Sequence, residues 1–164
     1  MKKALLVFLV AFTLIFTSCG SGLSCSSLLS RLIAVGMDNG YAYGQIYLAE
    51  AQEDSVGYLS AHMTDVLYGV GAFEEYFSLL EDYAIFISQR IPGEIAVFKC
   101  YTRTDTQKIA EMCLQRADEI KIALRYGEYT DKAMGIEVYV IKRLVIMSFV
   151  EDQRQIKKEL KQLL

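Results

Sequence analysis

Histidine is nearly absent from this chain, since His62 is the only one among its 164 residues. A catalytic serine or cysteine needs a base beside it, most often a histidine, and no serine or cysteine here has the flanking residues of a known nucleophile motif. Zinc sites use cysteines and histidines paired at short spacing, whereas Cys100, Cys113 and His62 are far apart in sequence. The sequence therefore argues against a histidine-based triad and against a zinc site.

Patterns that bind phosphate or calcium are missing as well. No glycines are arranged as GxGxxG or GKS/T between a strand and a helix, and the acidic residues do not follow the EF-hand spacing. These acids form two groups, Glu50, Glu53 and Asp54, then Glu74, Glu75, Glu81 and Asp82. We expect them, like the charged residues Glu111, Arg116, Asp118, Glu119 and Lys121 of a later helix, to be solvated. The sequence predicts no cofactor, no metal ion and no catalytic residue, so we expect a protein that is not an enzyme.

The chain contains one proline and 53% hydrophobic residues, a composition too apolar for a disordered protein. Beyond residue 19 it has no run of 18 uninterrupted apolar residues. Such a run is the usual mark of a membrane-spanning helix. Any membrane attachment is therefore expected at the N-terminus.

Residues 1–18 have the layout of an export signal. Lys2 and Lys3 precede a 13-residue apolar run from Ala4 to Phe16, and small residues then lead to Cys19. This arrangement resembles the lipobox of bacterial lipoproteins, in which a diacylglycerol is attached to the cysteine thiol and the chain is cut before it. Phe16 stands where leucine is usual, and Cys25 is a poorer second candidate far from the apolar run. An ordinary secretory signal and an uncleaved membrane anchor remain alternatives, but all three export the rest of the chain.

Cleavage before Cys19 would leave 146 residues, with 15 basic and 20 acidic side chains. This size suits one domain. The net negative charge argues against nucleic acid, and against anionic lipid headgroups, as partners through bulk electrostatics. We predict a flexible tether at residues 19–27 and a single domain at 28–164, divided into an N-terminal cover segment (28–72) and a core (73–164).

The core is predicted to be an α+β fold with the order ββαββα. Alternating or β-rich stretches indicate strands at 83–88, 94–101, 136–141 and 144–150. An apolar stripe predicts a helix at 105–124, and Asp152 begins a last helix. Two hairpins that are each followed by a helix suggest a mostly antiparallel four-stranded sheet with both helices on one face. The opposite face would be covered by the segment from Leu28 to Gly71 or by another protein.

Tyrosine provides the one compositional indication of binding. Four of the eleven tyrosines, Tyr41, Tyr43, Tyr47 and Tyr58, lie in a stretch without clear periodicity. Exposed tyrosines give rigid, amphipathic contact area in recognition surfaces and sugar-binding grooves. The alternative is that they pack on the second face of the sheet. Cys100 and Cys113 are expected to be two small buried thiols, although export would also permit a bridge between them.

The stretch from Asp82 to Phe86, the strand Gly93–Cys100 with the capped helix after it, and the paired strands at 136–150 resemble a family of uncharacterised lipoproteins of low-GC Gram-positive bacteria. The resemblance covers residues 60–164 and includes the leader. It implies a lipoprotein and supplies no activity, substrate or catalytic residue.

These observations together predict a lipid-anchored, extracytoplasmic domain on the cell membrane. We expect it to bind an envelope protein or a wall component without catalysis. A lipoprotein that binds a solute or small ligand is the alternative. A wall-polymer hydrolase ranks third, because it would need a paired acid site from residues such as Glu53, Asp54, Glu74 and Glu75.

Overall fold

The computed structural model describes residues 23–37 and 43–163, and within them the chain is an α+β protein with one antiparallel five-stranded sheet. The helices are α1 (Cys25–Gly36), α2 (Ala61–Tyr68), α3 (Ala72–Glu75), α4 (Asp105–Ala123), α5 (Thr130–Met134) and α6 (Gln153–Leu160), with 3-10 turns at Phe77–Leu79 and Lys161–Leu163. The strands are β1 (Gly44–Leu48), β2 (Leu80–Ser88), β3 (Glu94–Cys100), β4 (Glu137–Ile141) and β5 (Leu144–Phe149). The predicted signal at 1–18, Cys19 and Tyr41 lie outside the described residues.

The sheet has the strand order β1-β2-β3-β5-β4, and every neighbouring pair is antiparallel. The two predicted hairpins, β2 with β3 and β4 with β5, are confirmed. The number of strands corrects the four-stranded prediction, because β1 pairs with β2 along its whole length. The sheet therefore takes an edge strand from the segment that was predicted only to cover it.

β1 escaped prediction because it is a short edge strand with few apolar residues on a single face. In its sequence Gly-Gln-Ile-Tyr-Leu, Tyr47 is buried while Ile46 is 41% exposed. Gly44 meets a steric requirement, since a Cβ there would overlap the ring of Phe86. The pattern of half-buried edge strands is weak over five residues.

Both faces of the sheet are covered by helices, and α4 and α6 lie on opposite faces. Ala96 and Phe98 of β3 join the core beneath α4, whereas Ile95 and Val97 of the same strand join the core beneath α1 and α6. The prediction that both helices share one face is therefore wrong. Strands buried on both faces have continuous apolar sequences, so the sequence of β3 does not say on which side the following helix packs.

Helix α1 shares the second face with α6, packing against β2, β3 and α6. The Ser24 side chain caps it by accepting the Ser27 N–H at 3.2 Å. The Asp82 carboxylate of β2 accepts the Cys25 N–H at 2.8 Å. Residues 25–27 are thus helical, which corrects the C-terminal part of the predicted tether at 19–27. The segment before β1 therefore covers the second face of the sheet, which is one of the two alternatives predicted from sequence.

Within residues 23–37 and 43–163, no helix combines the length and the apolar character that a membrane crossing requires.

Candidate functional site

The structure does not bring the predicted tyrosines together at one site. Tyr43 is 54% exposed and the Arg90 guanidinium lies 3.7 Å from its ring centroid. Tyr47 is in the core beneath α4. Tyr58 lines a cavity. The set therefore divides between surface, core and groove.

Tyr58 belongs to an aromatic groove with three other rings, those of Phe73, Phe77 and Tyr83. Its volume is about 560 Å³. The Phe77 and Tyr83 rings meet edge to face with centroids 5.1 Å apart, and Phe73 stacks on Phe77 at 6.3 Å. We call these four residues and the space between them the aromatic groove.

Two glycines place the rings. Gly69 ends α2 with φ 101° and Gly71 begins α3 with φ 83°, values in the left-handed region that favours glycine. The chain turns between them, and α3 and the following 3-10 turn then lay Phe73 and Phe77 over Tyr83 of β2. The groove that these two glycines create was not evident from the sequence.

The groove combines apolar ring faces with a few polar groups. Phe73 remains 38% exposed. Burial raises the pKa of Tyr83 above its ordinary value, and nearby Tyr58 and Asp82 add to the rise, so the phenol stays neutral at physiological pH. Glu74 and Ser78 also line the groove. Rings with a few polar groups suit the face of a sugar or an apolar side chain.

A second site is formed by the buried carboxylate of Glu94. Its residue is 2% exposed. Arg116 of α4 donates to Glu94 Oε2 from Nη2 at 3.0 Å and from Nε at 3.3 Å, and the Tyr68 hydroxyl lies 3.4 Å from Oε1. Burial raises the pKa of Glu94, although Arg116 and Tyr68 offset part of the rise. We call these three residues the Glu94 cluster.

Two members of the Glu94 cluster, Glu94 and Arg116, line a cavity of about 370 Å³ between α4 and the β2–β3 turn. Ile120 and Phe149 supply apolar wall, and Glu119 stands with Arg116 on the helix side. The Ser88 hydroxyl is buried there without a hydrogen-bond partner among the described residues. The wall of the cavity therefore contains an ion pair and, beside it, a buried hydroxyl that has no hydrogen-bond partner among the described residues.

Sequence reasoning missed the Glu94 cluster because it placed Arg116 on the solvated face of its helix. The Arg116 side chain is in fact 19% exposed and reaches down to the sheet. The sequence did contain an indication of this ion pair. Glu94 begins a strand in which all the remaining residues except Lys99 are buried and apolar. A carboxylate buried in such a strand is strongly destabilising unless a cation pairs with it.

The remaining candidates do not gather into a reactive group. Glu50, Glu53, Asp54, Glu74, Glu75 and His62 are exposed. Glu81 pairs with Lys99 at 2.5 Å and with Arg143 at 2.7 Å, which lowers its pKa. In the described part of the chain, no three histidine, cysteine or acidic residues are placed to hold a metal ion.

The described cysteines Cys25, Cys100 and Cys113 are free thiols, and all three are buried. Burial raises the pKa of Cys100 to about 11 and that of Cys113 well above its ordinary value. A thiol needs its thiolate form to react. These cysteines therefore act as small apolar residues, as expected for Cys100 and Cys113.

Comparison of the chain with models of protein families, with curated proteins and with solved structures finds no match.

Proposed function

We propose that this protein is a lipoprotein of the cell envelope, tethered to the outer face of the membrane through Cys19, and that its domain is a non-catalytic binding module. The observation that carries the proposal is the aromatic groove of Tyr58, Phe73, Phe77 and Tyr83, which is half-open and built from two chain segments. Its occupant is an envelope component, either a wall glycan or a protein segment with apolar side chains.

The surroundings of Cys25 support Cys19 as the lipidated residue. Cys25 is 1% exposed and opens α1, with its N–H bonded to Asp82. A lipid on this sulfur would have to leave the core beneath α1 and α6, and cleavage before Cys25 would remove the Ser24 cap. Cys19 lies six residues earlier in sequence, so cleavage before it would leave Ser24 and its cap in the mature chain.

The groove is tested with isolated cell walls. Detergent-solubilised full-length protein is incubated with purified wall sacculi and sedimented, and the bound fraction is measured for wild type and for a Tyr58→Ala, Phe73→Ala double variant. Because each lost ring contact costs about 1 kcal/mol, we expect binding about tenfold weaker or more. Tyr126→Ala is the matched control, since this ring is 86% exposed and lies outside the groove.

Equal binding by the double variant and the wild type would remove the groove from the proposal. If the wild type does not bind to walls, the partner is sought among envelope proteins. Wild type, the double variant and Tyr126→Ala are then compared by pull-down from solubilised membranes. Capture that the groove variant abolishes and the control retains would support a protein partner.

A second candidate function is the binding of a small solute in the cavity of the Glu94 cluster. The buried, unsatisfied Ser88 hydroxyl favours it. The test is thermal unfolding of wild type and Ser88→Ala with a panel of small amines, carboxylates and sugars. A stabilisation that saturates with one compound and is lost in Ser88→Ala would support this function, and no shift with any class would oppose it.

A further inference from the structure

Two adjoining grooves lie near Leu23, the first residue after Cys19 that the structure describes. One is lined by Leu23, Leu163 and Lys142 among others, and the second by Val140, Leu160 and Lys161. Ile141 lines both, so the two grooves adjoin at this residue. We call their lining residues together the Ile141 surface.

The Ile141 surface is basic although the chain as a whole has a net charge of −3. Its basic residues are Lys99, Lys142, Arg143, Lys157 and Lys161, and no carboxylate lines either groove. Glu81 neutralises part of this charge beside Lys99 and Arg143, and Glu137 pairs with Lys157 at 2.7 Å. Among the described residues, Lys142 and Lys161 have no acidic partner within ion-pair distance, and the Lys142 amine instead donates to the Leu163 carbonyl at 3.0 Å.

Apolar side chains lie between these bases. Val140 is 53% exposed on the edge strand β4, and Leu23, Leu144 and Leu163 are half-buried. A surface that combines apolar residues with lysines suits the interface of a bilayer, where apolar groups enter the headgroup region and lysines meet phosphates.

The length of chain before Leu23 links this surface to the membrane. Three residues, Gly20 to Gly22, lie between Cys19 and Leu23, and the four residue steps span at most about 14 Å. A lipid on Cys19 would therefore hold Leu23, and with it the Ile141 surface, close to the headgroups. The Debye length at physiological salt is about 8–10 Å, so charge attraction becomes effective where this short tether lets the basic residues come within that distance of the headgroups.

We propose that the Ile141 surface docks the domain on the anionic phospholipid headgroups of the membrane that anchors it. This inference rests on the proposed lipid anchor. Docking by this surface fixes the orientation of the domain. The net negative charge is a property of the whole chain, whereas docking uses the local excess of lysine and arginine.

The test uses the full-length, lipidated protein reconstituted in liposomes, with an environment-sensitive fluorophore at Val140→Cys. The described native thiols are buried, so the new cysteine is the accessible one. We expect a blue shift, and quenching by headgroup nitroxide lipids, in liposomes that contain phosphatidylglycerol but much less in pure phosphatidylcholine. The same fluorophore at Val56→Cys, a 99% exposed position outside both grooves, should show neither change.

Charge variants sharpen the result. Lys142→Glu with Lys161→Glu should shift the docked-to-undocked ratio at least about fivefold for each lysine removed from the surface. Lys108→Glu with Arg125→Glu changes the net charge equally through exposed residues outside both grooves, and should leave the signal at position 140 unchanged.

Flotation of the protein with the liposomes separates the two proposals. Loss of flotation for the purified wild type contradicts the lipid anchor. Flotation without a signal at position 140 overturns the docking proposal alone. A signal that is equal in both lipids and grows with protein density identifies a second copy on the Ile141 surface and also overturns it.

Discussion

The two faces of the sheet differ in chemistry although the same strands form both. The face beneath α4 is rich in aromatic rings and holds the Glu94 cluster, with the aromatic groove at one side. The face beneath α1 and α6 is a core of aliphatic residues with few rings. Lys157 and Leu160 of α6 also line the Ile141 surface. Polar and aromatic groups inside a domain cost stability unless they are satisfied. Their concentration on one face agrees with recognition there and with attachment on the other.

Among the variants that test this difference between the faces, removal of the Arg116 guanidinium is expected to lower the free energy of unfolding most. Arg116→Met leaves Glu94 buried without its cation, and we expect a loss of about 3–5 kcal/mol in the free energy of unfolding. Burial raises the pKa of Glu94, so the carboxyl can protonate at low pH and the penalty for its charge grows as pH rises through the folded-state pKa. Urea unfolding at about pH 5 and about pH 8 should therefore show the greater loss at pH 8.

Arg125→Met is the control, because Arg125 is exposed near the end of α4, and it should change stability by less than about 0.5 kcal/mol. A loss for Arg116→Met as small as that of the control, or one that is larger at low pH, would show that the ion pair does not support the α4 face.

On the other face, truncation of Leu32 tests whether α1 is an integral layer. Leu32 is fully buried between α1 and the sheet, and Leu32→Ala should destabilise the protein by about 3 kcal/mol. Val35, which is 36% exposed on the same helix, provides the control Val35→Ala. If the two variants unfold alike in urea, α1 does not belong to the cooperative unit.

Asp82 joins the two parts of the chain that the sequence placed in tether and core. Asp82→Ala removes the carboxylate that accepts the Cys25 N–H, and we expect a loss of about 1–2 kcal/mol. Asp82 also adds to the rise in the Cys25 pKa that burial causes, so thiol labelling of Cys25 in the folded protein should become faster. Asp118→Ala, at an exposed pair with Lys121, is the control. Unchanged stability and labelling would contradict the capping role.

The smallest effect is expected on the Ile141 surface. Glu137 and Lys157 form an ion pair that is partly exposed on both sides, and such pairs contribute about 0–1 kcal/mol. A double-mutant cycle with Glu137→Gln and Lys157→Met should give a coupling energy below about 0.5 kcal/mol. A coupling above about 1 kcal/mol would mean that this surface is a stability element rather than a solvated contact face.

Elements with strong periodicity were predictable from sequence. The alternation at 136–141, the turn around Pro92 and Gly93, and the stripe of Ile109, Met112 and Cys113 each correspond to a structural element. The start of α4 shows the limit of such signals. Its N-cap residue Thr104 makes no side-chain capping hydrogen bond, whereas Thr102 exchanges hydrogen bonds with Asp105. Several polar residues near a helix start can cap it, and the local backbone decides which one does.

What could not be predicted depended on contacts between distant segments. Examples are the side of the sheet on which α4 packs, the pairing of β1 with β2, and the ion pair of Glu94 with Arg116. Such contacts join residues far apart in sequence, 22 positions for Glu94 and Arg116 and 57 for Asp82 and Cys25. Of the predicted binding tyrosines that the structure describes, only Tyr58 lies in the groove, because the rings that complete it come from α3, the 3-10 turn after it and β2.

The central claim is that the chain is anchored by a lipid on Cys19, and palmitate labelling tests it most directly. Full-length wild type, Cys19→Ala and Cys25→Ala are expressed with an export pathway for lipoproteins, fed an alkyne analogue of palmitate, and examined for label and for the mass of the N-terminal peptide. We expect label on wild type and Cys25→Ala, no label on Cys19→Ala, and a mature chain that begins at Cys19. An unlabelled wild type, or label that depends on Cys25, would contradict it.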